Sequence, residues 1–224
     1  MKLTKRQQTW AKLDKERVYS LADAIDALRE YASKKFDESL EIAIRLGVDV
    51  TKADQNIRGM VSLPNGTGKT VRVAVFTVNS ADEAKKAGAD IVGGEDLIEK
   101  VAAGEINFDR VIATPDMMPK MSKIARVLGP KGLMPNPKLG TVTNNVAEAV
   151  ATAKAGQIEY RAEKKGIIHA GVGKMSFTTD KLVENVNALV DQLKKVKPAS
   201  VKGQYILGAA IATTQGPGLK VDIK

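Results

Sequence analysis

Gly68-Lys69-Thr70 is the tripeptide with the most chemical promise, because phosphate-cradling loops end in these residue types. Such a loop also needs a glycine five residues before Gly68, and that position is Leu63. A valine-rich run (Val71, Val73, Val75) follows, so no helix N-terminus would meet a phosphate. The segment therefore reads as a glycine-rich turn between strands. Gly171-Val172-Gly173 lacks the third glycine of a dinucleotide fingerprint. His169 is the only histidine, so a catalytic triad or an imidazole metal centre would rest on it alone. Alternation sets it opposite Ile168, and on residues alone it reads as packed or half-buried with its ring nitrogens satisfied. The acid pairs Asp37/Glu38 and Glu95/Asp96 read as solvated edges and helix starts. The absence of cysteine excludes disulfides, thiolate ligands and thiol nucleophiles. No catalytic constellation, metal or cofactor is expected.

The net charge of +9 points instead to anionic partners. Three segments fit nucleic-acid contact. Gly129–Gly140 holds three Gly and three Pro, which excludes a regular helix or a central strand. It carries Leu133, Met134 and Leu139 and lies in an acid-free window, 117–147, with Lys120, Lys123, Arg126, Lys131 and Lys138. Lys34-Lys35-Phe36 puts two cations and an aromatic ring at a helix–strand junction, although Phe36 alone would also suit a core plug. Thr213-Thr214-Gln215-Gly216-Pro217-Gly218 offers hydroxyls, an amide and bare backbone, or else an ordinary hairpin turn.

The elements that must position these residues follow from periodicity. A basic polar helix is expected over about 3–15 with Lys2, Lys5, Arg6 and Lys12 on a solvated face. Ser20 with Asp23 predicts a helix from there through about Ser33. Leu40 to Val50 alternates strictly, as a half-buried strand would, and 59–64 reads as another. Strands over 71–78, 90–92 and 108–113 then alternate with helices over 80–87 (with a Ser80/Glu83 capping box), 95–103, 119–127 and 145–155. That order implies a small open α/β unit with parallel strands. Strands over 158–161 and 166–171, a helix over 179–196 and strands over 204–213 and 219–223 close the chain. The expected fold is a discontinuous α+β outer domain, 1–67 plus 158–224, with an α/β (Rossmann-like, open-sheet) domain inserted at 68–157. Residues 68–158 hold twelve Lys/Arg against ten Asp/Glu, so most of the positive excess falls on the outer part. Aromatics are 4% of a chain that is 43% hydrophobic, so the cores should be aliphatic. No signal-peptide apolar region follows Lys2, Lys5 and Arg6, and no apolar run is long enough to span a bilayer, so a cytoplasmic protein without membrane contact is expected.

Taken in chain order, these segments resemble the bacterial large-subunit ribosomal protein L-one family. The resemblance rests on Gly129-Pro130-Lys131-Gly132-Leu133-Met134-Pro135-Asn136-Pro137-Lys138 and Gly140-Thr141-Val142-Thr143. It also rests on Lys35-Phe36-Asp37-Glu38, Leu63-Pro64-Asn65-Gly66-Thr67-Gly68-Lys69, His169–Phe177 and the Gly216-Pro217-Gly218 ending. It implies a two-domain protein that binds 23S rRNA in the large ribosomal subunit and forms the mobile stalk at the tRNA exit site. Assistance in releasing deacylated tRNA, and repression through the leader of its own ribosomal-protein mRNA, are implied as well. The free protein would be a monomer, and the resemblance implies no enzyme activity. Carried residue by residue, the RNA surface would comprise Lys35, Phe36, Glu38, Ser39, Glu163, Lys164, Lys165, Gly166, His169, Thr214, Gln215, Gly216 and Pro217. Ser39 stands where the family commonly has Thr, and Gln215 where it usually has Met. Lys131 and Lys138 would be secondary RNA contacts, and Thr67, Gly68, Gln157 and Ile158 the hinge. Two other readings remain at this point: a nucleotide-binding α/β enzyme, and a repressor that acts on mRNA alone.

Overall fold

The computed structural model describes residues 8–10, 13–14 and 16–223. The expected N-terminal helix, with Lys2, Lys5, Arg6 and Lys12, falls largely outside them. The chain is a mixed α/β protein with three sheets among the described residues, and it divides into two compact units. One comprises Met1–Gly68 with Ile158–Lys224, the other Lys69–Gln157.

In the first unit, Ser20 caps helix α1 (Leu21–Tyr31) by accepting the Asp23 N–H. Five strands form one sheet in the order β1-β10-β9-β2-β8. They are β1 (Val18–Tyr19), β2 (Ser39–Leu46), β8 (Ile167–Lys174), β9 (Ile206–Thr213) and β10 (Gly218–Val221). The two-residue β1 lacks any periodic signal and is recruited by parallel pairing with β10. Strand β2 stops at Leu46, short of the expected Val50, where Gly47 brings the backbone against residue 204. A Cβ on Gly47 would lie 2.5 Å from the Gln204 carbonyl oxygen. β3 (Arg58–Ser62) and β7 (Gln157–Arg161) form a separate two-stranded sheet. One face of β2 supplies Leu40, Ile42, Ile44 and Leu46 to a core shared with α1 and with the long helix α7 (Thr179–Lys195). Glu41 and Arg45, on its other face, are exposed.

In the second unit, β4 (Val73–Phe76) lies between β5 (Ile91–Gly93) and β6 (Arg110–Ala113), all parallel. All four β4 residues are buried, as expected for a parallel strand covered on both faces. Val73 and Val75 meet α2 (Ala81–Lys86) and α6 (Val146–Lys154). Ala74 and Phe76 meet α3 (Glu95–Ala102) and the 115–128 segment.

Two local expectations fail here. The helix foreseen over 119–127 is broken into α4 (Met118–Met121) and α5 (Ala125–Leu128), with 3-10 turns at Pro115–Met117 and Ser122–Ile124. Pro119 has no N–H to donate, and the Ser122 hydroxyl donates back to the Met118 carbonyl. The apolar stripe Met117, Met121, Ile124, Leu128 survives the break, so packing rather than regular hydrogen bonding holds the segment. Ser80 does not cap α2, because its side chain takes no part and its N–H donates to Thr77 Oγ1 instead.

Candidate nucleic-acid interface

The helix–strand junction after α1 is built by side chains that bond to backbone. Glu38 is 1% exposed. Its carboxylate oxygens accept the N–H of Ser33 at 2.8 Å and of Gln215 at 3.3 Å, tying the junction to the β9–β10 turn. Thr214 Oγ1 accepts the Ser39 N–H at 2.9 Å, and the Thr214 N–H donates to the Ser39 carbonyl. The Ser39 hydroxyl is in use, because Lys174 Nζ donates to Ser39 Oγ at 2.9 Å and to the Asp37 carbonyl at 3.2 Å. The Asp37 carboxylate in turn accepts the Ser176 N–H and hydroxyl. Lys35, Phe36, Ser39, Thr214, Gln215 and Gly216 therefore form one corner. Phe36 is 42% exposed, so it is not a core plug, and Lys34 and Lys35 beside it are exposed.

The turn that carries Thr214 is more than a hairpin linker. A Cβ on Gly216 would lie 2.1 Å from Thr213 Oγ1, so any larger residue would force the buried Thr213 side chain to move. Pro217 is buried and stiffens the turn.

A bulge decides where Lys174 points. Register slips between Leu40 and Glu41, whose β8 partners are Gly173 and Gly171, so Val172 is the extra residue. Ile168, Ala170 and Val172 face the core. Strict alternation would send Lys174 the same way. With one residue more, Lys174 comes opposite Ser39 on the open face.

Not all the residues carried over from the resemblance meet. Glu163, Lys164, Lys165 and Gly166 form the β7–β8 turn, and the Gly166 carbonyl accepts the Leu46 N–H at the opposite end of β2 from Ser39. Gly166 has φ 71 and permits the turn. Seven strand steps separate the two ends, about 23 Å at roughly 3.3 Å per residue. His169 lies between them, paired with Ala43. It is exposed rather than packed, with a side-chain exposure of 56% and its Nε2 3.4 Å from Glu163 Oε1. The open face linking the ends has low relief: Ala43, Gly171, Gly208, Ala210 and Ala212, with Glu41, Arg45, His169 and Lys220 rising from it. Small residues let a ligand backbone come close, and the cations supply attraction.

The phosphate-loop candidate is accounted for by other bonds. Asn185 on α7 is fully buried. It donates to the carbonyls of Gly66 and Val172 and accepts the Asn65 N–H. The 65–68 turn is thereby pinned to α7. Gly66 and Gly68 both have positive φ (67 and 70), which explains the glycines without a ligand.

In the second unit the Gly/Pro segment is folded inward. Leu133 and Met134 pack on the core and Leu139 is buried. Asn136 accepts the Lys138 N–H through its side chain, and Thr141 Oγ1 accepts the Asn136 N–H while donating to its carbonyl. Gly140 closes the turn with φ 67. Lys131 and Lys138 stay exposed.

Sequence reasoning missed Lys174, Asp37 and Ser176, which build the corner. The only available signal was the Lys–Met–Ser–Phe run after Gly173. Among the described residues no cluster of His, Asp and Glu is arranged to hold a metal, and no helix is long and apolar enough to cross a membrane.

A model of the ribosomal protein L1p/L10e family matches residues 28–217, and the chain belongs to that family. Membership makes it a large-subunit ribosomal protein that binds rRNA, in a family of structural rather than enzymatic ribosomal proteins.

Proposed function

We propose, from this membership and the corner just described, that the chain grips 23S rRNA with the surface running from Lys35, Phe36, Glu38 and Ser39 through Thr214, Gln215, Gly216 and Pro217. The face continues past His169 to Glu163, Lys164, Lys165 and Gly166. The observation that carries this reading is the exposed Phe36. The polar groups around it are spent on fixing the junction, so a ring is held in solvent beside two cations. A pre-positioned aromatic ring suits an unstacked base, and lysines suit phosphates. Filter binding of an rRNA transcript tests it: Phe36→Ala should weaken binding by about tenfold or more, since a base–aromatic stack contributes about 1–3 kcal/mol. Unchanged affinity would overturn the assignment.

Within the ribosome, we propose that the protein forms the mobile stalk at the tRNA exit site and assists release of deacylated tRNA. The connections at Thr67, Gly68, Gln157 and Ile158 would act as its hinge, and Lys131 and Lys138 as secondary RNA contacts. Support comes from family membership and from the two chain crossings between the units. Ribosomes lacking the chain should release exit-site tRNA more slowly in a stopped-flow assay, and equal rates would count against the stalk role. The same corner would hold the leader of the protein's own operon mRNA. A leader–reporter fusion repressed by the wild type and by Phe36→Ala alike would refute shared recognition.

A further inference from the structure

At the far end of the sheet from Phe36 lies a concavity of about 420 Å³, whose lining includes Arg45, Lys52, Lys165, Lys202, Asp49 and Ser200. Four chain segments bring the four cations together. Arg45 ends the open face of β2. Lys52 precedes the 3-10 turn Ala53–Gln55, which is secured where Gln55 Oε1 accepts the Asp49 N–H at 2.8 Å. Lys165 arrives on the β7–β8 turn through the Gly166–Leu46 bond. Lys202 is drawn in because the Gly47 N–H donates to the Tyr205 carbonyl at 2.7 Å.

Asp49 is the one carboxylate in the lining. The Thr51 hydroxyl, and then its N–H, bond Asp49 Oδ1 and hold the group below the usual carboxylate range, so it stays anionic. Its acceptor oxygen is thus turned toward Thr51. All four cations are exposed, and among the described residues none has a carboxylate within salt-bridge distance, although Lys52 adds a weaker attraction to Asp49. Four converging positive charges against one negative leave an excess of three. Like charges gathered in excess of their counter-charge create a local field that an anion relieves.

We infer that this concavity is a phosphodiester site, which receives the RNA strand after it has crossed the open face. The inference rests on the rRNA-binding reading and extends it to Lys52 and Lys202. A strand is favoured over free phosphate because Arg45 belongs both to the open face and to the concavity. A chain of phosphates led along that face enters without a break.

The test titrates the full chain and its Lys52→Gln/Lys202→Gln variant with a 23S rRNA transcript over a range of salt. The variant should lose about three- to tenfold in affinity at low salt. Its log–log salt slope should be shallower by about 1.5, since each of the two lost phosphate contacts contributes roughly 0.7–0.9. Lys202→Gln alone, at an exposed position where misfolding is not expected, should give about half the change. Wild-type binding with an unchanged slope in both variants overturns the site alone. No wild-type binding to the transcript overturns the rRNA-binding reading and the site with it. Amide shifts at Ser200 and Lys202 with millimolar inorganic phosphate, together with an unchanged rRNA slope, identify a free-anion site and overturn the strand proposal.

Discussion

The Phe36 corner and the Gly129–Gly140 segment are both irregular, basic and rich in turn residues, yet they spend their polar groups in opposite ways. In the corner, Glu38, Thr214 and Lys174 bond across the sheet and leave a ring and two lysines facing water. In the loop, Asn136 and Thr141 bond each other, Leu133, Met134 and Leu139 turn to the core, and the exposed residues are glycines, prolines and two lysines without an aromatic ring. On the proposed reading, basic character alone does not mark an RNA surface, and what would separate the two is an exposed aromatic ring beside an open sheet face.

The largest effect that would sharpen the contrast is at Glu38. Glu38→Ala leaves two backbone N–H groups without the carboxylate in a buried site. It should cost roughly 2–4 kcal/mol, read as a lower urea midpoint, and should also abolish tight rRNA binding. A midpoint within experimental error of the wild type would show that the corner is not held as described. Next comes the binding contrast itself. Phe36→Ala should cost about tenfold or more in rRNA affinity, whereas Lys131→Glu/Lys138→Glu should cost less than about threefold at 0.15 M salt. Equal losses would erase the distinction between the regions. Smaller again is Gly140→Ala, where the left-handed backbone should cost about 1 kcal/mol of stability, measured by chemical denaturation, and leave rRNA affinity unchanged. A drop in affinity there would make the loop a contact surface.

The smallest effect serves as a control outside both regions. The Tyr205 hydroxyl is buried without a hydrogen-bond partner among the described residues, and burial, with Tyr160 nearby, pushes its pKa up to about 12. A raised pKa favours the neutral form in the folded protein. This contribution is intact below the ordinary tyrosine value near 10 and is lost as pH rises toward 12. Tyr205→Phe should leave stability at pH 7 unchanged or raise it by up to about 1 kcal/mol. It should also flatten the decline above pH 10 in thermal melts. A large loss at pH 7 would reveal a partner for the hydroxyl.

Much of the fold is legible where local chemistry and packing agree. Ser20 marks a cap, alternation from Leu40 marks a face, and the all-apolar β4 marks a doubly covered strand. Legibility ends where a distant residue decides. Strand β2 halts at Leu46 because residue 204 approaches Gly47, and β1 exists only because β10 pairs with it. The buried Asn185 reads as an interruption of a helical stripe until the 65–66 turn it serves is in view. The candidate site divides the same way. Phe36 and Thr214 stand out by type and setting. Lys174 does not, because parity along a strand predicts the wrong face for it, and His169 is exposed because its face of β8 is left uncovered.

The bulge at Val172 means that β8 carries one residue more than its ladder with β2 needs. A conservative change at Val172 alters one packing contact. Deleting Val172 would remove its core contact yet leave Gly171, Gly173 and Lys174 opposite Glu41, Leu40 and Ser39 in a regular ladder, whereas flattening the bulge with every residue kept would turn Lys174 to the interior. Deletion of Val172 should therefore cost core packing, read as a lower urea midpoint, while chains that fold keep Lys174 against Ser39 and bind rRNA close to the wild type.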